Sequence, residues 1–90
     1  MSPLAQRTIA TIGSGVMAEA IIAGLLRGRL VDPGQLVASH PRPERRDHLV
    51  ATYGIRTVAS NIEAVAGADV VILAIKPQML ARVGREIGPW

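Results

Sequence analysis

The sequence predicts an α/β domain in which helices cover both faces of a doubly wound, four-stranded parallel sheet of strand order 3-2-1-4. Two observations lead to this fold class. Short β-branched or apolar segments alternate with segments whose apolar residues recur at helical spacing, and only short loops separate them. Because strands joined through a helix pair in parallel with a right-handed crossover, this alternation predicts a parallel sheet rather than hairpins.

The first half of the chain contains two predicted strands and one helix. Residues 8–12 are short, β-branched and alternating, which predicts a strand. Apolar residues recur at helical spacing over residues 17–28, and Arg27 lies in the last turn, where a positive charge suits the helix dipole. Residues 32–34 have the composition of a turn, and residues 36–39 form the second predicted strand.

The third strand lies between two further helices. A helical pattern follows Pro41 and Pro43 and ends before Gly54, a residue type that favours the left-handed conformation after a helix. Residues 55–58 predict the third strand. A capping-box spacing that starts at Ser60 opens a short helix, which Gly67 closes.

The fourth strand and the last helix complete the pattern. Residues 69–75 are the most apolar segment of the chain, which predicts a strand buried on both faces. Pro77 stands at a favourable first helical position. The apolar spacing after it predicts a helix that ends at residues 88–90.

The composition restricts the chain to one small domain without disulfides or metal. The chain has 90 residues, which we assign to a single unit over residues 1–90. Hydrophobic residues make up 49% of it and aromatic residues 2%, so its core must be aliphatic. The absence of cysteine excludes thiolate sites, and two histidines alone do not make a zinc site.

The net charge of +3 suits either a nucleic acid or a small polyanion, and the small polyanion fits the distribution of the arginines at least as well. The arginines are scattered through the chain, and aromatic residues that would stack on bases are not interleaved with them. No apolar segment reaches the roughly 20 residues that a membrane-spanning helix needs, and residues 1–7 do not resemble a signal peptide. We therefore expect no nucleic-acid or membrane partner, and a cytoplasmic location.

A glycine-rich loop, G-x-G-x-x-A, joins the first strand to the first helix over residues 13–18. In such a loop Gly13 permits a tight turn, Gly15 lets the backbone approach a pyrophosphate, and Ala18 lets the helix pack closely on the sheet. The free N–H groups of the helix then face the phosphates. The context predicts a Rossmann-type dinucleotide site, and the alternative is a structural turn that binds nothing.

The end of the second strand favours NADP over NAD. An NAD site usually has an acid there that accepts hydrogen bonds from the ribose 2′-hydroxyl. This sequence instead has Ser39, His40 and then Arg42, a set able to hold a 2′-phosphate, while Glu44 lies further on among arginines.

Other polar residues near the strand ends have two interpretations each. Lys76 follows the fourth strand. Its side chain either lies near the nicotinamide end of the cofactor or extends from the strand end into solvent. Asn61 either contacts the adenosine side or simply begins a helix. We expect Arg46 and His48 to lie on a solvated helix face.

Together these residues resemble the amino-terminal domain of the pyrroline-5-carboxylate reductases. The resemblance covers nearly the whole chain and is carried by its glycine loop, its strand ends and the segment after the fourth strand: residues 12–20, 37–39, 43–45, 53–55, 61, 68–71 and 74–78.

The resemblance implies an enzyme that reduces 1-pyrroline-5-carboxylate to L-proline, in proline biosynthesis, by hydride transfer from NADPH or NADH. It also implies that the cofactor contacts fall on Ile12, Gly13, Ser14, Gly15, Val16, Met17, His40, Arg42, Asn61, Ala74, Ile75, Lys76 and Pro77. Val16 departs from the pattern, because the family commonly has a polar amide residue there.

Family members continue into a helical carboxyl-terminal domain that forms the dimer and most of the substrate pocket, and this chain stops before that domain. We therefore expect NADP(H) binding with weak or no activity, and an imine substrate only if that domain is present. We assign no catalytic acid within residues 1–90. Self-association through an uncovered sheet edge is a further expectation. The alternatives are a stand-alone dinucleotide-binding module or a fragment of another Rossmann oxidoreductase, although residues 76–78 argue against a hydroxyacid dehydrogenase.

Overall fold

Four parallel strands form one sheet in the order β3-β2-β1-β4, which confirms the predicted topology. The computed structural model describes residues 6–13 and 15–88. Its strands are β1 (Ile9–Ile12), β2 (Leu36–Ser39), β3 (Arg56–Val58) and β4 (Val70–Leu73). Its helices are α1 (Val16–Arg27), α2 (Pro43–Tyr53), α3 (Asn61–Val65) and α4 (Leu80–Ile87). Short 3-10 turns precede β2 at Pro33–Gln35 and α4 at Pro77–Met79.

Alternate residues of the strands point to two separate layers of the core. Ile9 and Leu36 pack with Ile22 of α1 and Leu49 of α2 on one face of the sheet. On the opposite face, the cluster consists of Ala10, Ile12, Val37, Ala64, Val65 and Val83 and therefore includes α3 and α4. The buried hydrophobic residues are all Ile, Leu, Val or Ala, so the expectation of an aliphatic core is confirmed for the described residues.

The fourth strand is shorter and more exposed than its composition predicts. The ladder with β1 extends only from Val70 to Leu73, because β1 itself has four residues and Gly13 then turns the chain away. Within the described sheet β4 pairs with β1 alone, and Leu73 is 42% exposed. The predicted strand over residues 69–75 is therefore too long, and its burial is partial rather than complete: Val70 and Ile72 pack against one core layer and Val71 against the other.

The helix boundaries follow local capping rules, except that α4 starts later than expected. The Ser60 hydroxyl accepts hydrogen bonds from the backbone N–H groups of Ile62 and Glu63, as its predicted capping position requires. Gly54 ends α2 in the left-handed conformation, at φ +72°. Pro77 begins a 3-10 turn rather than α4, which starts at Leu80.

The parallel register brings the carboxyl ends of the strands to one edge of the sheet. Ile12 pairs with Ser39 on one side and with Leu73 on the other. The segments that follow these three residues therefore leave the sheet side by side. None of the helices among residues 6–13 and 15–88 has the length and apolarity needed to cross a membrane.

Candidate functional site

Gly13 makes a turn that no other residue type fits. Its φ is +83°, and a Cβ built on it would lie 2.6 Å from the carbonyl oxygen of Ala74 and 2.9 Å from Cγ2 of Ile75. The chain leaving β1 thus passes directly against the segment that leaves β4. The structure confirms the predicted need for glycine at this turn.

Gly15 differs from Gly13, because nothing in the described part of the chain requires it to be glycine. It is the N-cap of α1 with an ordinary φ of −78°, and a Cβ at this position would have no atom within 4 Å. No side chain caps the helix there, whereas Ser60 caps α3. Gly15 thus has no side chain to accept hydrogen bonds from the first N–H groups of α1, and the position of its missing Cβ is open. Ser14, between the two glycines, lies outside the described residues.

A cleft of about 280 Å³ opens beside this glycine loop, and we call it the glycine-loop cleft. Its walls come from the ends of β1 and β2, the start of α3, the segment after β4, and α4. The lining residues are Ile12, Gly13, Gly15, Ser39, His40, Pro41, Asn61, Ile75, Met79, Arg82 and Val83. The structure therefore brings the predicted residues Ile12, Gly13, Gly15, Ser39, His40, Asn61 and Ile75 together around one space.

The remaining predicted site residues lie outside the lining of this cleft. Val16 and Met17 are exposed on the first turn of α1, and Val16 lines a different cleft. Arg42 is exposed at the N-cap of α2. The last three, Ala74, Lys76 and Pro77, lie on either side of Ile75 in the segment that follows β4.

A chain of hydrogen bonds connects the end of β2 to α3 and α4. Ser39 is 1% exposed, and its hydroxyl donates to Oδ1 of Asn61 over 2.5 Å. Nδ2 of Asn61 donates in turn to Oε1 of Glu86, also over 2.5 Å. Asn61 therefore does more than begin a helix, because both ends of its amide hold neighbouring elements in place. The proton of the Ser39 hydroxyl is directed at Asn61 rather than into the cleft.

His40 is fixed by three hydrogen bonds at the mouth of the cleft. Its backbone N–H donates to Val58, its carbonyl accepts from Nη1 of Arg46 over 2.7 Å, and its Nδ1 accepts from the backbone N–H of Arg42 over 3.0 Å. Because Nδ1 is an acceptor, the neutral ring carries its proton on Nε2. Burial, followed by the nearby positive charges of Arg42 and Arg45, lowers the pKa of His40 below its usual value of 6.5.

The contact from Arg46 corrects one expectation from the sequence. Arg46 is not simply solvated, since its guanidinium holds the His40 carbonyl and so secures the loop between β2 and α2. Arg46 can reach the His40 carbonyl because α2 begins directly after the loop, which places Arg46 in the second turn of the helix, six positions beyond His40.

A second group of polar side chains joins α1 to α2, and we call Glu19, Arg45, His48 and Tyr53 the α1–α2 clamp. Glu19 accepts hydrogen bonds of 2.6 Å from both the Tyr53 hydroxyl and Nη2 of Arg45, and Nε2 of His48 lies 3.3 Å from its carboxylate. These hydrogen bonds, led by that from Tyr53, lower the pKa of Glu19 to about 2. The same contact raises the pKa of Tyr53. His48 is thus a partner of Glu19 rather than a purely solvated residue.

The α1–α2 clamp borders a second cleft, of about 290 Å³, lined by Val16, Glu19, Ala20, Ala23 and Tyr53. Its polar groups are already engaged with one another, and the described glycine turn does not line it. Within the part of the chain that the structure describes, no three His, Asp or Glu side chains are grouped to bind a metal ion.

The contribution of α4 to the glycine-loop cleft was missed from the sequence. Met79, Arg82, Val83 and, through Asn61, Glu86 all reach the cleft region from this last segment. Their spacing of three and four residues marks a single helical face. That spacing is visible in the sequence, but it does not tell which element the face meets.

Comparison with known proteins agrees with this geometry. Residues 8–89 match the family described as NADP oxidoreductase coenzyme F420-dependent. The chain is 44% identical over 72 residues to a pyrroline-5-carboxylate reductase of Synechocystis, covering 80% of this chain and 27% of that protein. It is also 44% identical over 81 residues to the Pseudomonas aeruginosa pyrroline-5-carboxylate reductase, covering 90% of this chain and 29% of the relative.

Solved structures show the same relationship. A pyrroline-5-carboxylate reductase from Coxiella burnetii superposes with a TM-score of 0.83 at 31% identity, over 90% of this chain and 30% of that one. A Plasmodium falciparum pyrroline carboxylate reductase with NADP bound shares the fold, with a TM-score of 0.77 at 20% identity. The chain spans less than a third of the length of these relatives. It belongs to the NADP oxidoreductase coenzyme F420-dependent family, and the resemblance to the pyrroline-5-carboxylate reductases predicted from its motifs is confirmed.

Proposed function

We propose that this chain binds NAD(P)(H) in the glycine-loop cleft and is the cofactor-binding part of a pyrroline-5-carboxylate reductase. The observation that carries the proposal is Gly15. A glycine that the fold itself does not require stands at the uncapped start of α1, next to open space. A ligand that needs close approach to the backbone, as a pyrophosphate does, explains why the residue is glycine.

The rest of the cleft also suits a dinucleotide. Among its polar residues, His40 follows β2 and Asn61 begins α3. This fold places the adenosine ribose at the end of β2. Its apolar residues, among them Ile75, Met79 and Val83, offer a surface for a flat heterocycle. Lys76 and Pro77 follow β4 and are proposed to lie toward the nicotinamide half.

In such a site the cofactor supplies the hydride, and the protein binds and orients it. The N-terminal N–H groups of α1 hold the phosphates. The hydrogen bonds from Ser39 to Asn61 and from Asn61 to Glu86 keep the α3 end of the cleft in a fixed arrangement. The neutral imidazole of His40 presents Nε2–H as a donor, because Nδ1 is already occupied.

We further propose that NADPH binds more tightly than NADH. No acidic residue follows β2 before Glu44, so the usual acceptor for a ribose 2′-hydroxyl is missing at this strand end. His40 and the exposed Arg42 lie there instead. A phosphate at the 2′ position pairs with such groups through charge-assisted hydrogen bonds.

Reduction of 1-pyrroline-5-carboxylate needs a substrate pocket in addition to the cofactor. The residues assigned here account for cofactor binding, and we assign none of them as a catalytic acid. We therefore expect the 90-residue chain by itself to bind the cofactor and to show little or no turnover. A stand-alone dinucleotide-binding module is the alternative, and it shares the binding site without the reductase activity.

Titrations of the purified chain with NADPH and with NADH, followed by calorimetry, test the binding proposal. Saturable binding that is tighter for NADPH supports both parts of it, and binding of neither dinucleotide refutes it. A steady-state assay with NADPH and 1-pyrroline-5-carboxylate then measures activity. Substantial turnover by the 90-residue chain would refute the expectation of inactivity.

A further inference from the structure

Arg82 is a cation in the glycine-loop cleft that comes from the far end of the chain. It lies on α4 and lines the cleft together with Ser39, His40 and Pro41, which follow from β2. Val83 on α4 and Met79, at the end of the preceding 3-10 turn, line the same space. Arg82 therefore lines the same cleft as the end of β2, where this fold recognises the adenosine ribose.

The surroundings leave the Arg82 guanidinium available for an anion. Among the described residues, no hydrogen bond or ion pair engages it, and no carboxylate lines the cleft. The Oε1 atom of Glu86, one turn further along α4, accepts the hydrogen bond from Asn61. The Arg82 side chain is also exposed, so it is not needed for packing of the core.

The other arginines near this end of the sheet are differently placed. Arg45 is paired with Glu19 in the α1–α2 clamp, and Arg46 holds the His40 carbonyl. Arg42 is exposed and does not line the cleft. Of the guanidinium groups in the described residues, Arg82 is the one that lines the cleft itself.

We propose that Arg82 binds the 2′-phosphate of the adenosine ribose and thereby contributes to discrimination between NADPH and NADH. This inference rests on the proposed function, because it requires the dinucleotide to occupy the glycine-loop cleft. Arginine suits the role because its planar fork of N–H donors matches a phosphate, and its charge is permanent. The negative charge of the 2′-phosphate pairs with the positive charge of the Arg82 guanidinium.

Calorimetric titrations with adenosine 2′,5′-bisphosphate and with AMP test the role of Arg82, since the two ligands differ only in the 2′-phosphate. The Arg82→Ala variant is expected to bind the bisphosphate about tenfold more weakly and AMP within about twofold of the unaltered chain. The Arg82→Lys variant is expected to recover part of the loss. Raising the salt concentration reduces the difference between variants, because exposed charges are screened.

The matched control is Arg85→Ala, which removes an exposed arginine from the same helix without touching the lining of the cleft. It is expected to change neither affinity. If Arg82→Ala loses affinity equally for both ligands, or for neither, the assignment of Arg82 to the 2′-phosphate is overturned. If the unaltered chain binds neither ligand nor NADPH, the proposed function itself is refuted, and that result is distinguishable from the first two. Circular dichroism of each variant confirms that it is folded.

Discussion

At the scale of single residues, the two glycines of the loop have different physical roles. Gly13 is required by the protein, because its conformation and the nearby Ala74 carbonyl both exclude a side chain. Gly15 has an unstrained backbone and open space beside it, and we propose that its role lies with a ligand. This difference separates a variant that harms folding from one that harms binding.

Replacing Gly15 by alanine is expected to weaken NADPH binding by about tenfold or more and to cost no more than about 1 kcal/mol of stability, because alanine is a poorer N-cap residue than glycine. The added methyl group occupies the space that the phosphates approach, but it meets no atom of the described protein within 4 Å. Calorimetric titration and the midpoint of urea unfolding measure the two quantities. Gly24→Ala is the matched control, because Gly24 lies further along α1 and its Cβ would also have open space. A Gly15→Ala variant that binds NADPH normally would contradict this role.

Replacing Gly13 by alanine is expected to destabilise the fold by about 2 kcal/mol or more, because strain at a positive φ adds to a backbone clash. The clash is with the Ala74 carbonyl oxygen at 2.6 Å, an atom that cannot move without disturbing the end of β4. Urea unfolding monitored by circular dichroism gives the free energy of unfolding. A variant as stable as the unaltered chain would show that the turn tolerates a side chain.

Much of the candidate site is predictable from residue types because parallel strands place their carboxyl ends together. Ser39, His40 and Asn61 each follow or end a strand, and all three line the cleft with the glycine loop. Arg82 was not predictable in this way. Its position depends on the 3-10 turn at Pro77–Met79, which changes the rotational phase of α4, and on the packing of α4 against α3. Neither is encoded in local periodicity.

At the scale of secondary-structure elements, the polar contacts between helices hold the loops that form the cleft. The α1–α2 clamp fixes α2 against α1, and Arg46 on the same helix secures the His40 carbonyl. The sequence did not predict these contacts, because Glu19 and Tyr53 are separated by 34 positions and meet only through tertiary packing. The helices themselves were predicted, since their caps and apolar spacing are local.

The Glu19 carboxylate is expected to make stability depend on pH in the acidic range. Its pKa in the folded chain is about 2, below the usual value of 4.5, so the stabilisation is complete above about pH 5 and is lost as the pH falls toward 2. The Glu19→Gln variant should lose part of this dependence. Urea midpoints measured between pH 2 and 7 compare the two chains, with Glu44→Gln, an exposed position on α2, as control. Parallel curves for the unaltered chain and Glu19→Gln would contradict the prediction.

The end of α1 contains a residue whose conformation favours glycine. Arg29 has a φ of +55°, and the N–H groups of Arg29 and Leu30 donate to the carbonyls of Leu26 and Leu25. This double hydrogen bond is the Schellman arrangement, in which glycine is the usual left-handed residue.

Arg29→Gly is therefore expected to stabilise the chain by about 0.5–1 kcal/mol, because it removes the steric cost of a side chain in the left-handed region. Thermal unfolding measures the change. Arg29→Ala removes the same charge but keeps a Cβ, so it controls for charge and should show no comparable gain. Equal effects of the two substitutions would show that the conformation of residue 29 does not limit stability.

At the scale of the whole molecule, the fold was predictable because alternation and handedness restrict a short α/β chain to few topologies. The order 3-2-1-4 follows from that restriction, and the structure confirms it. The exposure of β4 could not be predicted in the same way. A strand of apolar residues has the same composition whether another element covers it or not, and here Leu73 remains 42% exposed.

The central claim is that the dinucleotide occupies the glycine-loop cleft, and NMR mapping with an isotopically labelled chain tests it most directly. Titration with NADPH should shift the amide signals of Gly13, Gly15, His40, Asn61 and Arg82 in a saturable way, because these residues line the cleft. The signals of Ala20 and Ala23, which line the second cleft, should move much less. Shifts centred on Ala20 and Ala23, or none that saturate, would contradict the claim.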